Sequence, residues 1–160
     1  MVRDTNVVLA GTSAGAAAMS TSMIVRGEPT SHPHKNAVRL SPGLGFLKNI
    51  IIDQHFTERG RISRLITAVS YNPYNLGIGI DENTAIILDG KGILEVFGQG
   101  SATIIDGSQI TFNEIAEVGE HEAFSICGVQ FHVLRDGLVY NYLDRHPIQP
   151  TNEFLLPDLG

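Results

Sequence analysis

A short apolar run that leads into a Gly-x-Ser-x-Gly sequence constrains this chain more than any other feature. Residues 7–10 read Val-Val-Leu-Ala, residues 11–15 read Gly-Thr-Ser-Ala-Gly, and further alanines follow. This order predicts a buried strand, a sharp turn at Ser13 and then a helix, which is the setting in which a serine acts as a nucleophile. A glycine-rich strand-to-helix turn, as found in any α/β protein, is the alternative interpretation.

The predicted turn has steric and electrostatic requirements. A serine on so tight a turn leaves little room for Cβ atoms at Gly11 and Gly15, where strand and helix close around it. The helix, predicted over residues 14–22, directs its first backbone amides toward the serine. We therefore expect the N–H of Ala14 to act as an oxyanion donor.

The composition excludes several classes of protein. With 160 residues, of which 42% are hydrophobic, the chain is long enough for one domain with a substantial core. A net charge of −6 argues against nucleic acid as a partner, and no apolar run approaches the length of a membrane span. Cys127 is the only cysteine, which excludes a disulfide framework, and its apolar neighbours predict that it is buried. We expect a soluble, cytoplasmic protein.

The order of predicted elements indicates how the domain is organised. The first predicted strand comes at residue 7, so the β-α-β units that usually precede a nucleophile strand in an α/β sheet are expected to be missing. We interpret residues 1–160 as a single catalytic domain that is truncated at its N-terminus, with residues 141–160 as a loosely docked tail. Without those units, the first strand would leave an unpaired hydrophobic edge on the sheet. Such an edge predicts a homodimer or other self-association.

Three consecutive isoleucines at residues 50–52 predict a strand buried on both faces, and polar residues follow it at the edge of a sheet where sites form. Apolar residues then recur at helical spacing up to residue 69. Strands are predicted in the second half at residues 76–81, 84–89, 93–97, 102–105 and 123–134, with a hairpin turn at residues 89–92.

A nucleophilic serine needs a base, and the base needs an acid that orients it. Among six histidines, His55 is the best placed because it directly follows the isoleucine strand. Asp81 and Glu82 end the next strand and are the candidate acids, although ordinary turn chemistry would also place acidic residues there. His32 and His34 lie in a loop with prolines, and no third ligand follows at a metal-site spacing, so we assign no metal and no cofactor.

An arginine cluster lies beside the candidate base, at Arg59, Arg61 and Arg64. Guanidinium groups bind carboxylates in bidentate fashion, so the cluster predicts a clamp for a substrate carboxylate. Solvated arginines at a helix N-terminus are the alternative, although cations there oppose the helix dipole.

Several motifs, in this order, resemble the cyanophycinases and, more loosely, the related aspartyl dipeptidases. They are Gly-Thr-Ser-Ala-Gly-Ala (11–16), Met-Ile-Val (23–25), Gly-Leu-Gly-Phe (43–46), Asp-Gln-His-Phe (53–56), Arg-Gly-Arg (59–61), Arg-Leu (64–65) and Gly-Ile-Asp-Glu-Asn-Thr-Ala (79–85). The resemblance covers about residues 5–135. It implies a flavodoxin-like, class I glutamine amidotransferase-like open sheet with helices on both faces, and a serine peptidase with a Ser-His-Glu triad.

The resemblance also implies residue roles. Ser13 would be the nucleophile, His55 the general base and Glu82 the orienting acid, with Glu28 as the alternate acid. The implied substrate pocket consists of Asp53, Gln54, Arg59, Arg61 and Arg64. The implied substrate is cyanophycin, a polyaspartate whose side chains carry arginine, from which β-Asp-Arg dipeptides would be released.

Two other interpretations stay open. The chain could be a catalytically weak or inactive fragment, or a binding domain of the same fold, because the region that it lacks would supply an oxyanion amide. It could also be a peptidase for other aspartyl dipeptides.

Overall fold

The computed structural model describes residues 7–148. Within them lie two helices, α1 (Ala14–Ala18) and α2 (Ile62–Tyr71). The strands are β1 (Ser22–Arg26), β2 (Arg39–Pro42), β3 (Ile50–Gln54), β4 (Leu76–Ile80), β5 (Thr84–Leu88), β6 (Ile93–Gly98), β7 (Ser101–Asp106), β8 (Phe112–Asn113), β9 (Ile126–Cys127), β10 (Gln130–Arg135), β11 (Val139–Asn141) and β12 (His146–Ile148). The fold is α/β with open sheets, as the sequence predicts, and its finer assignment as flavodoxin-like stays a prediction.

The sheet that carries the candidate site has the strand order β10-β7-β4-β3. β3 and β4 are parallel, in a register that places Ile52 opposite Ile78 and Gln54 opposite Ile80, and the other two pairings are antiparallel. Helix α2 connects β3 to β4. The carboxyl ends of the two parallel strands therefore lie side by side, and the loops that follow them meet at one edge of the sheet.

The isoleucine strand contributes to the core on both of its faces, as predicted. Ile50 and Ile52 pack in one cluster of buried residues, whereas Ile51 packs in a second cluster with Leu65 of α2. Alternate strand residues point to opposite faces, so a continuous apolar run is required where both faces are covered. Phe56 also packs on this second side, so close to β4 that a Cβ on Gly79 would lie 2.4 Å from its ring.

A second four-stranded sheet has the order β12-β11-β6-β5 and is antiparallel throughout. The predicted hairpin at residues 89–92 connects β5 to β6, where Asp89 Oδ1 accepts the N–H groups of Lys91 and Ile93 at 2.8 and 2.9 Å. Part of the predicted tail belongs to this sheet, because β11 pairs with β12 and Tyr140 is fully buried. Residues 149–160, the rest of that tail, lie outside the described residues.

The predicted nucleophile strand at residues 7–10 is wrong. These residues form no strand within the described chain, and the side chain of Val8 is 91% exposed. A strand requires backbone partners on a neighbouring strand, and no strand of residues 7–148 supplies them.

Three further expectations also differ from the structure. The predicted helix over residues 14–22 ends at Ala18, because Met19 and Thr21 bond instead to Leu47 and β1 begins at Ser22. The predicted loop at residues 28–43 contains β2, which pairs with β1. Cys127 is exposed rather than buried, because its two-residue strand pairs only with β8. Neither helix found in residues 7–148 has the length and hydropathy needed to cross a membrane.

Candidate active site

Ser13 lies on a strained turn immediately before α1. Its backbone has φ 51° and ψ −124°, a conformation that non-glycine residues rarely adopt. A Cβ on Gly11 would lie 2.8 Å from the carbonyl carbon of Gly15, so the turn requires glycine at residue 11. The same requirement predicted for Gly15 is wrong, because a Cβ there would meet open space.

His55 follows directly after β3, and its imidazole reaches Ser13. The distance from Ser13 Oγ to His55 Nε2 is 3.0 Å. Ser13 Oγ also lies 3.4 Å from Gln54 Oε1, but the hydroxyl has one proton and the contact with His55 is shorter. The predicted pair of serine and base is therefore within hydrogen-bond distance.

Glu82 lies in the loop after β4 and contacts the other ring nitrogen of His55. The distance from His55 Nδ1 to Glu82 Oε1 is 2.8 Å. The parallel pairing of β3 with β4 accounts for this proximity, because it aligns the ends of the two strands. We assign the proton to Nδ1 from these contacts, which leaves Nε2 free to accept the proton of Ser13.

Unusual backbone conformations accompany this row of side chains. Among residues 7–148, five non-glycine residues have positive φ, and Ser13, His55 and Asn83, which follows Glu82, are three of them. Asparagine tolerates this region, but serine and histidine do so at a cost of about 1–3 kcal/mol each. Such strain persists only where the surrounding structure imposes it, which is typical of functional sites.

The loop that carries Glu82 is held by its neighbours. Glu58 Oε1 accepts the backbone N–H of Glu82 at 3.0 Å, and the Asp81 carboxylate accepts bonds from Thr57 and Ser101. Burial raises the pKa of Asp81, but these hydrogen bonds outweigh it and the net pKa lies below its usual value. Sequence reasoning missed the role of Glu58. Its position three residues after His55 was the available signal.

Asp53 and Arg64 form a buried ion pair behind the site. Asp53 is 1% exposed and Arg64 5%, and Arg64 Nε donates to Asp53 Oδ2 at 2.6 Å while its terminal nitrogen contacts Oδ1. Arg64 also donates to the carbonyl oxygen of Gly27 at 2.8 Å. Both side chains thus have structural partners, Arg64 also lines a cavity beside Ser13, and their role in binding substrate stays a prediction.

Arg61 lies between this ion pair and a cavity beside the serine. The cavity has a volume of about 210 Å³, and its lining includes Arg61, Gln54 and Ala14, the residue after Ser13. Burial and the nearby Arg64 lower the pKa of Arg61, and Asp53 offsets this only in part. Arg61 Nε has no hydrogen-bond partner within residues 7–148. A ligand carboxylate in the cavity would stabilise this cation.

The remaining predicted residues are more distant from the serine or unpaired. The exposed side chain of Arg59 has no hydrogen-bond or ion-pair partner in the described part of the chain. Glu28 lines a second cavity and makes no contact with His55. The Ala14 N–H forms no hydrogen bond within residues 7–148, although α1 has only five residues and so contributes a short dipole.

Comparison with known proteins finds a matching family and curated relatives. A sequence model for Peptidase family S51 matches residues 2–96, more than half of the chain. The cyanophycinase of Thermosynechococcus vestitus is 41% identical over 153 residues, which cover 96% of this chain and 47% of that protein. For the cyanophycinase of Trichormus variabilis the identity is 42% over 136 residues, covering 85% of this chain and 46% of the relative. The chain thus spans about half the length of the curated relatives it matches.

Proposed function

The chain belongs to peptidase family S51, and on that premise we propose that it carries the catalytic residues of a serine peptidase that hydrolyses the β-aspartyl-arginine polymer cyanophycin. The observation that carries the proposal is the row of contacts from Ser13 Oγ to His55 Nε2 and from His55 Nδ1 to Glu82. The names of the relatives and the carboxylate-binding character of the cavity beside Ser13 support the choice of substrate.

The proposed reaction is acyl transfer to serine followed by hydrolysis. Ser13 Oγ attacks the carbonyl carbon of the scissile amide, and its proton moves to His55 Nε2. Glu82 stabilises the resulting imidazolium, and the Ala14 N–H donates to the oxyanion. The C–N bond then breaks, and His55 Nε2 donates its proton to the leaving nitrogen. Water, activated by His55, then hydrolyses the ester and regenerates Ser13.

The cavity beside Ser13 gives this mechanism its proposed selectivity. One terminal nitrogen of Arg61 donates to the Gln54 carbonyl oxygen and lies 3.5 Å from Asp53 Oδ1, but its Nε has no partner in residues 7–148. Arg59 is exposed and unpaired in the described chain, so both arginines have donors left for a substrate carboxylate. Arg64 also lines the cavity, but its guanidinium is held by Asp53, whose Oδ1 accepts the Gln54 N–H at 2.9 Å. We thus divide the predicted pocket into two groups, with Gln54 and Arg61 at the cavity wall and Arg59, exposed outside that lining, as the groups that contact the substrate.

Incubation with an insoluble cyanophycin suspension tests the proposal. We expect release of β-Asp-Arg dipeptides, identified by mass spectrometry, with no cleavage of polyaspartate that carries no arginine. Dipeptide release no faster than with heat-inactivated protein would contradict the proposed activity.

The assignment of the acid makes a separate prediction. Glu82→Gln is expected to lower kcat by about 10²-fold, because an amide does not stabilise the imidazolium and half-exposure of Glu82 moderates the loss. Glu28→Gln, which removes the same charge, should leave kcat unchanged. Steady-state kinetics on both variants decide the matter, and the reverse pattern would make Glu28 the acid.

An alternative to the active enzyme is a weakly active or binding form of the same fold. The exposure of the apolar side chains at residues 7–9 favours it, because an apolar segment without a strand partner in the described chain is a site of association.

We propose that the chain forms a homodimer or larger assembly, and that it acts in the cytoplasm. Light scattering should show a species larger than 17.3 kDa, and a stable monomer would exclude self-association.

A further inference from the structure

The structure has a second cavity, which shares no lining residue with the cavity beside Ser13. This second cavity is rich in cationic and imidazole side chains. Its volume is about 290 Å³, and its lining includes Arg26, Arg39, His34 and His121. Glu28 is the only carboxylate in that lining. In a protein with a net charge of −6, two arginines facing one acidic residue make a locally basic site.

The two arginines are opposite each other because of a β-bulge. The antiparallel register pairs Ile24 with Leu40 and then shifts, so that Arg26 rather than Val25 lies opposite Arg39. Like charges directly across a strand pair are destabilising. Neither guanidinium has a hydrogen-bond or ion-pair partner within residues 7–148, so no group of the described chain relieves their repulsion.

A third polar group in the cavity also lacks a partner. His34 Nδ1 is buried and makes no hydrogen bond with any of residues 7–148. The backbone around it is fixed, because the His34 carbonyl oxygen accepts the Ala37 N–H at 3.0 Å and His34 forms an isolated bridge with Ala123. The imidazole lines the cavity but this nitrogen has almost no accessible surface, so we expect a ligand to contact the exposed arginines instead.

The cavity is formed by segments that are held in place. Asn36 donates its side-chain amide to Glu120 at 3.1 Å and its backbone N–H to the Glu120 carbonyl oxygen at 3.0 Å, which connects the two loops around the cavity. Gly27 allows β1 to approach the next segment, because a Cβ there would lie 2.6 Å from the carbonyl oxygen of Ala37. The backbone around the cavity is thus held in place before any ligand binds, which lowers the cost of binding.

We propose that Arg26 and Arg39 form a second carboxylate-binding site, which holds an acidic peptide at a position away from the bond that is cut. The inference rests on the proposed function only for the identity of that peptide as the substrate polymer. β1 connects the two cavities, since Val25 lines the one beside Ser13 and Arg26 lines the second. A polymer with a carboxylate on each repeating unit can therefore bind at both.

Binding of fluorescein-labelled hexa-aspartate, followed by fluorescence anisotropy, tests this site. Replacing both arginines (R26Q/R39Q) should raise the Kd by about tenfold or more, because two charge-assisted contacts are lost. The matched control K48Q/K91Q removes the same charge from two exposed lysines outside the cavity and should change the Kd by about twofold or less. Should the double variant fail to fold by circular dichroism, the single variants R26Q and R39Q carry the test.

The outcomes separate the site from the proposed activity. An unchanged Kd in R26Q/R39Q, or equal weakening in K48Q/K91Q, would overturn the site even if cyanophycin is hydrolysed. A selective loss of binding supports the site even if no cyanophycin is hydrolysed, because hexa-aspartate reports binding alone. A competition experiment adds inorganic phosphate or unlabelled hexa-aspartate to the bound probe, at equal concentrations of negative charge and constant ionic strength. Displacement of the probe by phosphate would assign the cavity to a free anion and overturn its role with a peptide.

Discussion

Replacement of Ser13 by alanine is expected to lower kcat for cyanophycin hydrolysis by at least ~10³-fold, because the nucleophile of a cooperative triad is lost. Ser13 Oγ lies 3.0 Å from His55 Nε2, and no other hydroxyl in residues 7–148 lies within hydrogen-bond distance of that nitrogen. The measurement is the initial rate of dipeptide release at saturating substrate, in parallel for the variant and the unchanged chain.

A matched substitution controls for the loss of a hydroxyl near the site. Ser22, at the start of β1, makes no side-chain hydrogen bond within the described chain, so Ser22→Ala should retain kcat within about twofold. Labelling by a fluorophosphonate should disappear in Ser13→Ala and persist in Ser22→Ala. Near-normal turnover by Ser13→Ala would contradict the proposed nucleophile.

Replacement of Arg64 by alanine is expected to lower the free energy of unfolding by about 3–5 kcal/mol, because it leaves the Asp53 carboxylate buried without its main partner. The two side chains share a bidentate contact and are almost fully buried. Urea denaturation measures the change. Arg59→Ala is the matched control and should stay within about 0.5 kcal/mol, because the side chain of Arg59 is exposed and unpaired in the described chain.

A double substitution distinguishes a lost ion pair from lost packing. Asp53→Leu with Arg64→Met removes both charges and keeps the volume, so it should destabilise the protein less than Arg64→Ala alone. If Arg64→Ala instead leaves stability unchanged and raises KM, Arg64 binds substrate as the sequence predicted.

The sequence carries clearer local signals for the residues of the candidate site than for the surroundings of that site. Ser13, His55 and Glu82 each follow a recognisable local signal: a Gly-x-Ser-x-Gly turn, a run of isoleucines and the end of the next strand. Parallel pairing of β3 with β4 brings the last two signals together in the structure, whereas the sequence predicted the two strands but not their pairing.

Neither the burial of polar residues nor the exposure of residues with apolar neighbours in the sequence could be predicted in this way. The spacing of Arg61 and Arg64 shows that they share a helix face, but whether that face meets solvent or Asp53 depends on how α2 packs on β3. Residues 7–10 and Cys127 have apolar neighbours in the sequence, yet their exposure depends on whether another strand pairs with them.

The absence of strand pairing at residues 7–10 has a consequence for the local stability of the nucleophile. The amides that precede Ser13 have no sheet partner within the described chain, and they should exchange with solvent deuterium far faster than the amides of β3 that bond to β4, where Ile50, Ile51 and Ile52 are buried. We therefore expect Ser13 and His55 to belong to different cooperative units. The reactive alignment of serine and histidine depends on ordering a weakly protected segment against a strongly protected one.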